Sequence, residues 1–314
     1  MSILITTLSQ MLVLFLLIFL GFFLVKLKAL PDNSSVVLSK LENNLFVPAL
    51  VLGTFVENFT VKKMGIAWKL FLISFLICFI MMFVGTFVAR RCSRDRYIRN
   101  IYTYGLVFSN FGFMGNAVVS TVFPELFLDY LIFTMPLWTM IYMWGVPCLL
   151  IPQEDGRQTI RTKLKTFVNP MFIALIIGMI IGLAGIQLPV FLSTTISITG
   201  SCMSPLAMLL TGITVANMDL KKVLYMKSIY VVSVMRLLVF PLLYIILFSF
   251  ISVSETVRVC SICSLAMPLG LTTLVVPGAY GKDTSVAAGM TIVSHLLSAI
   301  TIPIIFYVMM KVTM

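Results

Sequence analysis

The chain is built from apolar runs that are each about as long as a lipid bilayer is thick. One of them, from Ile101 to Pro124, contains no charged residue. A spanning helix needs roughly 20 apolar residues to cross about 30 Å of hydrocarbon. The chain has 60% hydrophobic and only 11% charged residues, with a mean hydropathy of +1.10, which is too much apolar surface for one soluble core. This pattern predicts an all-α polytopic membrane protein.

Ten such runs follow one another along the 314 residues. We expect transmembrane helices at approximately 3–25, 37–57, 67–89, 101–123, 128–150, 170–186, 191–216, 229–253, 257–279 and 285–310. The longest polar stretch, Gln153 to Lys165, follows the fifth run and divides the chain into two sets of five. We therefore predict a first five-helix repeat at 1–152, a cytoplasmic connecting loop at 153–169 and a second five-helix repeat at 170–314.

The 22 Lys and Arg residues are distributed unevenly between the two sides of these helices. With the N-terminus outside, sixteen lie in cytoplasmic loops, five lie on the external side, and Arg236 lies within the eighth span. Because basic residues are retained on the cytoplasmic side of a membrane, this predicts a multi-pass protein of the plasma membrane with both termini external. The bases are confined to short loops, so the formal charge of +11 indicates contact with the lipid bilayer rather than with nucleic acid.

The two sets of five spans contain matching interruptions. Pro48 lies near the middle of the second span, and Pro205, which follows Ser204, lies near the middle of the seventh. The fourth span is interrupted at 109–116 by SNFGFMGN, and the ninth at 267–270 by Met-Pro-Leu-Gly. An odd number of spans in each half inverts the second half relative to the first. Paired interruptions in an inverted repeat predict a transport site near the membrane midplane.

The fourth-span interruption favours a binding site for an anion. Gly112 and Gly115 weaken a helix by about 1 kcal/mol each relative to alanine, and unwound backbone in hydrocarbon is tolerated only where it is buried or lines a wet cavity. Unwinding leaves N–H groups free at a new helix start, whose positive dipole end attracts anions. The predicted substrate site consists of Asn110, Gly112, Phe113, Gly115, Asn116, Met267, Pro268, Gly270, Thr272 and Thr273.

A second interpretation of the same residues needs no ligand. Small residues such as Gly112 and Gly115 allow helices to approach closely, and Asn110 and Asn116 could then bond to neighbouring backbone groups. The matching interruption in the ninth span favours the binding site over this packing interpretation, because two amides and a second broken span are costly to explain by packing alone.

At these positions the chain resembles the auxin efflux carrier family, bacterial members included. The fourth-span pattern of that family, roughly Asn-x-Gly-Phe-x-Gly-x-Pro, is matched by Asn110, Gly112, Phe113 and Gly115. Ala117 stands where the family has its proline, and glycine alone bends a helix less reliably than proline. The resemblance covers essentially all ten spans.

Two further motifs carry the resemblance. The ninth-span pattern of the family is matched by Met267-Pro268, followed by Tyr280-Gly281 and Asp283. The proline and small residue of the second span are matched by Pro48-Ala49.

The resemblance implies a fold in which the fourth and ninth helices unwind and cross. Helices 3–5 and 8–10 would form a transport domain, and helices 1, 2, 6 and 7 would form a scaffold with a homodimer surface. The implied activity is secondary transport of small organic anions: auxin in plants, and carboxylates such as malate or malonate in some bacterial relatives. A proton or a sodium ion remains open as the coupling ion.

Further polar or helix-breaking residues within the spans are candidates for scaffold contacts or for coupling: Glu42, Asn43, Asn44, Pro48, Ser204, Pro205, Arg236 and His295. Glu42 opens the second span either as a solvated helix end or as a contact for substrate or ion. Arg236 either binds substrate, snorkels to the surface or pairs with another group. For His295, the pattern favours a hydrogen-bonded core residue over a proton carrier.

Enzyme and pump functions find little support in the sequence. One histidine precludes an H-E-x-x-H metal site, and no phosphate-binding loop is present. We predict that the protein is not an enzyme and needs no cofactor or metal. Two alternatives to a carrier remain: a passive anion pore, and a membrane receptor or intramembrane enzyme. A carrier saturates and shows counterflow, whereas a pore does neither.

Overall fold

The computed structural model describes residues 3–59, 61–150, 170–217, 225–270, 272–279 and 282–313. The predicted connecting loop, the basic residues Lys221 and Lys222, and the Tyr280-Gly281 motif lie outside these ranges. Within them the backbone is helical and contains no β-strand, only an isolated bridge between Ser109 and Leu269.

The helices of the first half are α1 Ile3–Lys26, α2 Ser34–Leu41, α3 Val47–Asn58, α4 Val61–Cys92, α5 Arg96–Val107, α6 Asn116–Val122 and α7 Phe127–Met140. Those of the second half are α8 Pro170–Ala184, α9 Val190–Ser201, α10 Met203–Ala216, α11 Lys227–Val234, α12 Phe240–Phe250, α13 Glu255–Ala266, α14 Thr272–Ala279 and α15 Ser285–Thr313. Wider, π-helical turns connect several of them, at Glu42–Phe46, Phe111–Gly115, Ile141–Leu150 and Met235–Val239.

Six of the described helical segments are long and apolar enough to cross a membrane: Ile5–Lys26, Ser34–Glu57, Trp68–Cys92, Val190–Ala216, Lys227–Phe250 and Ser285–Val312. A bent seventh is formed by Pro124–Met140 and Met143–Leu150, which meet at 41°. The prediction of an all-helical membrane protein is therefore confirmed. The fourth and ninth predicted spans are each divided into two shorter helices, and the sixth is described only from Pro170 onwards.

Glycines join the helices of the first, second, sixth and seventh predicted spans. In the packing of α1 against α10, a Cβ atom on Gly21 would lie 2.2 Å from the backbone oxygen of Leu209, and one on Gly212 would lie 1.9 Å from that of Ile18. The packing of α3 against α8 is similar, because a Cβ atom on Gly182 would lie 2.4 Å from the oxygen of Phe55. Without side chains at these positions the helices meet backbone to backbone, as is common in membrane proteins.

The helices pack in two groups. The first group consists of α1, α2, α3, α8, α9 and α10, in which α1 packs on α10 and α3 packs on both α8 and α9. In the second group, α4 packs on α5 and α7, α11 packs on α15, and α12 packs on α13. The groups meet where α1 contacts α15 and where the turn Phe111–Gly115 contacts α10.

The outer faces of the long helices are apolar. On α4, for example, the side chains of Leu76, Phe79, Phe83 and Phe87 are all more than half exposed. Their spacing of three or four residues places them on one helix face. An apolar face of this kind suits contact with lipid, as expected for a membrane-spanning chain.

Both predicted proline interruptions coincide with irregular backbone. Pro48 follows the π-helical turn Glu42–Phe46 at the start of α3, and Pro205 lies in the first turn of α10, after a break at Cys202. The helical segments Ser34–Glu57 and Val190–Ala216 continue through these prolines. A proline inside a helix removes one backbone hydrogen bond, and the irregular turn before each proline accommodates that loss.

Asp283 caps the last helix. Its carboxylate accepts hydrogen bonds from the backbone N–H of Ser285, at 2.9 Å, and from the hydroxyl of the same residue. These two bonds hold the pKa of Asp283 below its usual value, because they stabilise the charged carboxylate.

Candidate functional site

The two broken spans meet at their interruptions. Helix α5 ends at Val107 and α13 ends at Ala266, and the residues that follow have extended backbone. Ser109 and Leu269 then form an antiparallel bridge, and the backbone N–H of Asn110 donates to the carbonyl of Pro268 at 2.6 Å. We call this contact the crossover. It places the two candidate motifs, which are far apart in the sequence, in direct backbone contact.

A new helix begins immediately after the crossover in both the fourth and the ninth span. Phe111–Val122 is a continuous apolar helix whose first turn is π-helical. Asn110 caps it, because its side-chain oxygen faces the N–H of Met114 at 3.5 Å and its carbonyl accepts from Gly115 at 3.0 Å. The second helix, α14, begins at Thr272. The start of a helix carries partial positive charge on unpaired N–H groups, so the crossover is followed by two positive helix ends.

The side chain of Asn110 is oriented by His295. Nδ1 of His295 lies 2.7 Å from the carbonyl oxygen of Thr291, which can only accept, so Nδ1 carries the hydrogen. Nε2 is then an acceptor, and the amide of Asn110 donates to it at 3.2 Å. Both side chains are buried. This arrangement matches the interpretation of His295 as a hydrogen-bonded core residue, while its role as a proton carrier stays a prediction.

Asn116 lies beside a small cavity between the two helix groups. Its side chain is 5% exposed, and its amide oxygen has no hydrogen-bond partner within the described ranges. The cavity is lined by residues of the first group (Val47, Val51, Phe55, Leu175) and by Asn116, Leu131, Thr134, Met135 and Trp138. The volume that the centre of a water molecule can reach is about 20 Å³, which is enough for one water but too small for a carboxylate. The structure therefore shows this cavity closed.

The two glycines of the fourth span pack against aromatic side chains of α7. A Cβ atom on Gly112 would lie 2.4 Å from the ring of Trp138, and one on Gly115 would lie 2.2 Å from the hydroxyl of Tyr130. That hydroxyl donates to the carbonyl of Phe111 at 3.0 Å, in the irregular first turn of the new helix. Close packing therefore accounts for both glycines, as the alternative interpretation expected. A contact of either with substrate stays a prediction.

Gly115→Ala should destabilise the protein by about 1 to 3 kcal/mol, the usual range for overpacking a core. The new methyl group would clash with the hydroxyl of Tyr130, so the double variant Gly115→Ala/Tyr130→Phe should recover part of the lost stability. Tyr130→Phe alone should be slightly destabilising, because it removes a hydrogen bond. A double-mutant cycle of the melting temperature in detergent measures this coupling. Strictly additive effects would contradict it.

Of the other predicted site residues in the ninth span, Met267 is fully buried at the end of α13, whereas Thr272 is half-buried. The Thr273 hydroxyl donates to the carbonyl of Gly270 at 2.9 Å, so it supports its own turn. In the fourth span, Phe113 is half-buried. A Cβ atom on Gly270 would lie 3.3 Å from the backbone oxygen of Ser109, which shows how closely the fourth and ninth spans approach each other at the crossover.

The scaffold-side candidates do not share one environment. Glu42 is fully buried, and neither carboxylate oxygen has a hydrogen-bond partner among the described residues. By contrast, Asn43 and Asn44 are exposed and donate back to the carbonyls of Ser39 and Lys40, both at 2.8 Å. Ser204 is half-buried and Pro205 is exposed. The sequence groups the three residues Glu42 to Asn44, but the structure buries only the first of them.

Arg236 neither snorkels nor faces solvent. It is 1% exposed, and its guanidinium donates to two backbone carbonyls, those of Leu106 at 2.8 Å and Ser264 at 3.2 Å. The hydroxyl of Ser109 also donates to Ser264, at 2.7 Å. Sequence reasoning identified Arg236 as unusual, but nothing in the spacing indicated which carbonyls it would bind, because they lie 130 and 28 residues away.

Within the described part of the chain, no group of three or more His, Cys, Asp and Glu residues is arranged to hold a metal ion. No curated protein matches the chain. Over residues 6–306 the sequence matches the family described as membrane transport protein, which confirms the resemblance that the motifs of the fourth and ninth spans indicated. With its long apolar helices and two interrupted spans in contact, the chain belongs to this membrane transport family, the auxin efflux carrier family.

Proposed function

We propose that the protein is a secondary carrier for small organic anions, in particular carboxylates, and that the anion binds at the crossover. The contact of Asn110 with Pro268 at 2.6 Å is the observation that carries the proposal. It puts the start of Phe111–Val122 near the start of α14, so that one ligand can accept hydrogen bonds from both positive helix ends.

Asn116 provides a second reason to expect a polar ligand. A buried amide oxygen without a partner is unfavourable by about 1 to 3 kcal/mol, so such a group calls for a compensating role, and binding a polar ligand is one such role. Since amide oxygen and nitrogen are assigned from their surroundings, the amide can turn and present its N–H group to an anion. Asn110, Thr272 and Thr273 would complete the site, although their described hydrogen bonds do not yet point into a common space.

Transport would follow from movement of one helix group against the other. The cavity at Asn116 has walls from both groups, so sliding or rotating them apart would open it. We infer that the first group, with spans 1, 2, 6 and 7, is the scaffold and carries the homodimer surface. The second group, with spans 3–5 and 8–10, would move as the transport domain and expose the site alternately to the two sides.

The pairing of helices supports ten spans arranged as two inverted repeats, 1–152 and 170–314. If span n of the first repeat corresponds to span n+5 of the second, the contact of spans 1 and 7 must have a counterpart between spans 6 and 2. Both contacts are present, as α1 on α10 and α3 on α8, and glycines make both. The contacts of α4 with α7 and of α11 with α15 correspond in the same way.

Transport assays on the purified full-length chain in proteoliposomes test the proposed function. Radiolabelled malate, malonate, acetate and indole-3-acetate would be offered under separately imposed proton, sodium and voltage gradients. A carrier should show saturable uptake and counterflow of at least one of these anions. Unsaturable flux without counterflow would instead favour the passive pore, and the absence of anion flux under every gradient would contradict the proposal.

Reporter fusions test the proposed topology. We expect a C-terminal reporter to be external and a reporter inserted in the 153–165 loop to be cytoplasmic, because sixteen of the 22 basic residues then lie on the cytoplasmic side. Paired alkaline phosphatase and fluorescent protein fusions at each position give opposite signals on the two sides. A cytoplasmic C-terminus would be incompatible with the inverted repeat.

A further inference from the structure

Arg236 connects the two helices that end at the crossover. Its guanidinium binds the carbonyl of Leu106, in the last turn of α5, and the carbonyl of Ser264, in the last turn of α13. The carbonyls of a last helical turn have no partners within their own helix. A planar guanidinium with five donors in a fixed fork can bridge two such ends, whereas an ammonium group acts as a point charge.

The charge on Arg236 is balanced by helix ends rather than by an acid. Its described titratable neighbours are Tyr130, Cys78 and Tyr244, and phenols and thiols are ordinarily uncharged at neutral pH. A helix C-terminus is equivalent to about half of a negative charge, so two of them together balance about one guanidinium. This accounts for a fully buried arginine that has no carboxylate partner among the described residues, an arrangement that would otherwise be strongly unfavourable.

The charge balance between Arg236 and the ends of α5 and α13 also affects the helix starts that follow the crossover. Two negative helix ends facing each other inside a protein would attract a cation, and they would also weaken the positive potential of the helix starts at Phe111 and Thr272. Arg236 fills the place of that cation with a covalently attached charge. A narrow cavity beside it, lined by Ser109, Ser261 and Ser264, can be reached by a water centre over only about 10 Å³, so there is little room for an additional hydrated ion.

We propose that Arg236 is a tethered cation that positions the crossover, and that it makes the site selective for anions without any bound metal cation. The selectivity part rests on the proposed function, whereas the positioning part does not. Arg236 would therefore be a positioning residue that acts through the ends of α5 and α13 and does not itself touch the anion.

The positioning part is tested by melting temperatures of the purified full-length chain. Arg236→Met should lower the melting temperature by roughly 5 °C or more, and Arg236→Lys should restore part of this because it keeps the charge. The matched control is Arg91→Met, since Arg91 lies at the end of α4 over the ring of Phe87 and should change the melting temperature little. The wild-type melting temperature should be the same in sodium chloride and in choline chloride.

Chemical rescue separates the missing cation from general damage. Arg236→Ala should regain stability in millimolar guanidinium, far below denaturing concentrations, and equal urea or choline should have no effect. Neither guanidinium nor sodium should stabilise the wild type. If Arg236→Met is as stable as the Arg91→Met control, or if sodium stabilises the wild type, the tethered-cation proposal is overturned.

Transport kinetics test the selectivity part, with whichever carboxylate the wild type takes up. Arg236→Met should raise KM for that anion roughly tenfold, with a smaller change in maximal rate, because the uncompensated helix ends repel the anion. Arg236→Lys should raise KM only several-fold, because it keeps the charge but not the fork that bridges both helix ends. If the variants instead lose maximal rate by a similar factor while KM stays unchanged, the selectivity part is contradicted. If the wild type transports none of the anions, the proposed function fails, but the melting experiments still decide whether Arg236 is the tethered cation.

Discussion

Asn116→Asp is expected to reduce the affinity for a carboxylate substrate by at least about a hundredfold. Two unit charges about 4 Å apart repel by about 4 kcal/mol at the effective dielectric constant typical of proteins, and each 1.4 kcal/mol corresponds to about a factor of ten in affinity. Asp and Asn have nearly the same shape, and the amide oxygen of Asn116 makes no described hydrogen bond that the substitution would break. A buried carboxylate without a partner is itself unfavourable, so folded yield should fall as well, and the affinity is compared on the purified folded fraction of each variant.

The matched control is Asn33→Asp, which makes the same change at the exposed N-cap of α2. Aspartate and asparagine are equally good caps, so uptake and yield should both stay at the wild-type level. Asn116→Ala provides a milder test. Losing one charge-assisted hydrogen bond is worth about 1.5 to 3 kcal/mol, so affinity should fall by roughly one to two decades. Wild-type affinity in Asn116→Asp would remove Asn116 from the site.

Among glycine-to-alanine substitutions in the first helix group, Gly212→Ala should lower the stability of the protein most. The new Cβ atom would lie 1.9 Å from the backbone oxygen of Ile18 and 2.7 Å from the backbone nitrogen of Phe22. Backbone atoms of a helix cannot turn away as a side chain can, so α1 and α10 must separate along their whole contact. We expect a loss of at least about 3 kcal/mol, the upper part of the range for overpacking, seen as low folded yield and a lowered melting temperature.

Gly53→Ala is the control for this effect. Its Cβ atom would meet only the Cγ2 atom of Ile196, at 3.0 Å, and a side-chain methyl can shift. Both substitutions gain about the same intrinsic helix propensity, so the difference between them measures the backbone contact. Equal stability of Gly212→Ala and Gly53→Ala would show that α1 and α10 do not pack as closely as the structure places them.

Local sequence signals identified the class of protein and the places where its helices break. Apolar runs of bilayer length predicted an all-helical membrane protein, because spanning length and hydropathy are properties of a single segment. The motif at 109–116 and Met267-Pro268 predicted two interruptions, because glycine and proline act on the backbone at their own positions. The same residues carried the family resemblance, which the match over 6–306 confirms. The π-helical turns at Glu42–Phe46 and Met235–Val239 were missed, since no local residue pattern requires them.

The partners of the key side chains depend on tertiary contacts, which no local pattern contains. Sequence spacing could not pair Arg236 with the carbonyls of Leu106 and Ser264, or Asn110 with His295, because each contact joins different spans and exists only after the helices have packed. For the same reason, Gly112 could be interpreted as a hinge or as a packing residue until the ring of Trp138 was found where its Cβ atom would be. Helix breaks depend on local residues and can be predicted from the sequence, whereas burial and charge balance depend on how all the helices pack together.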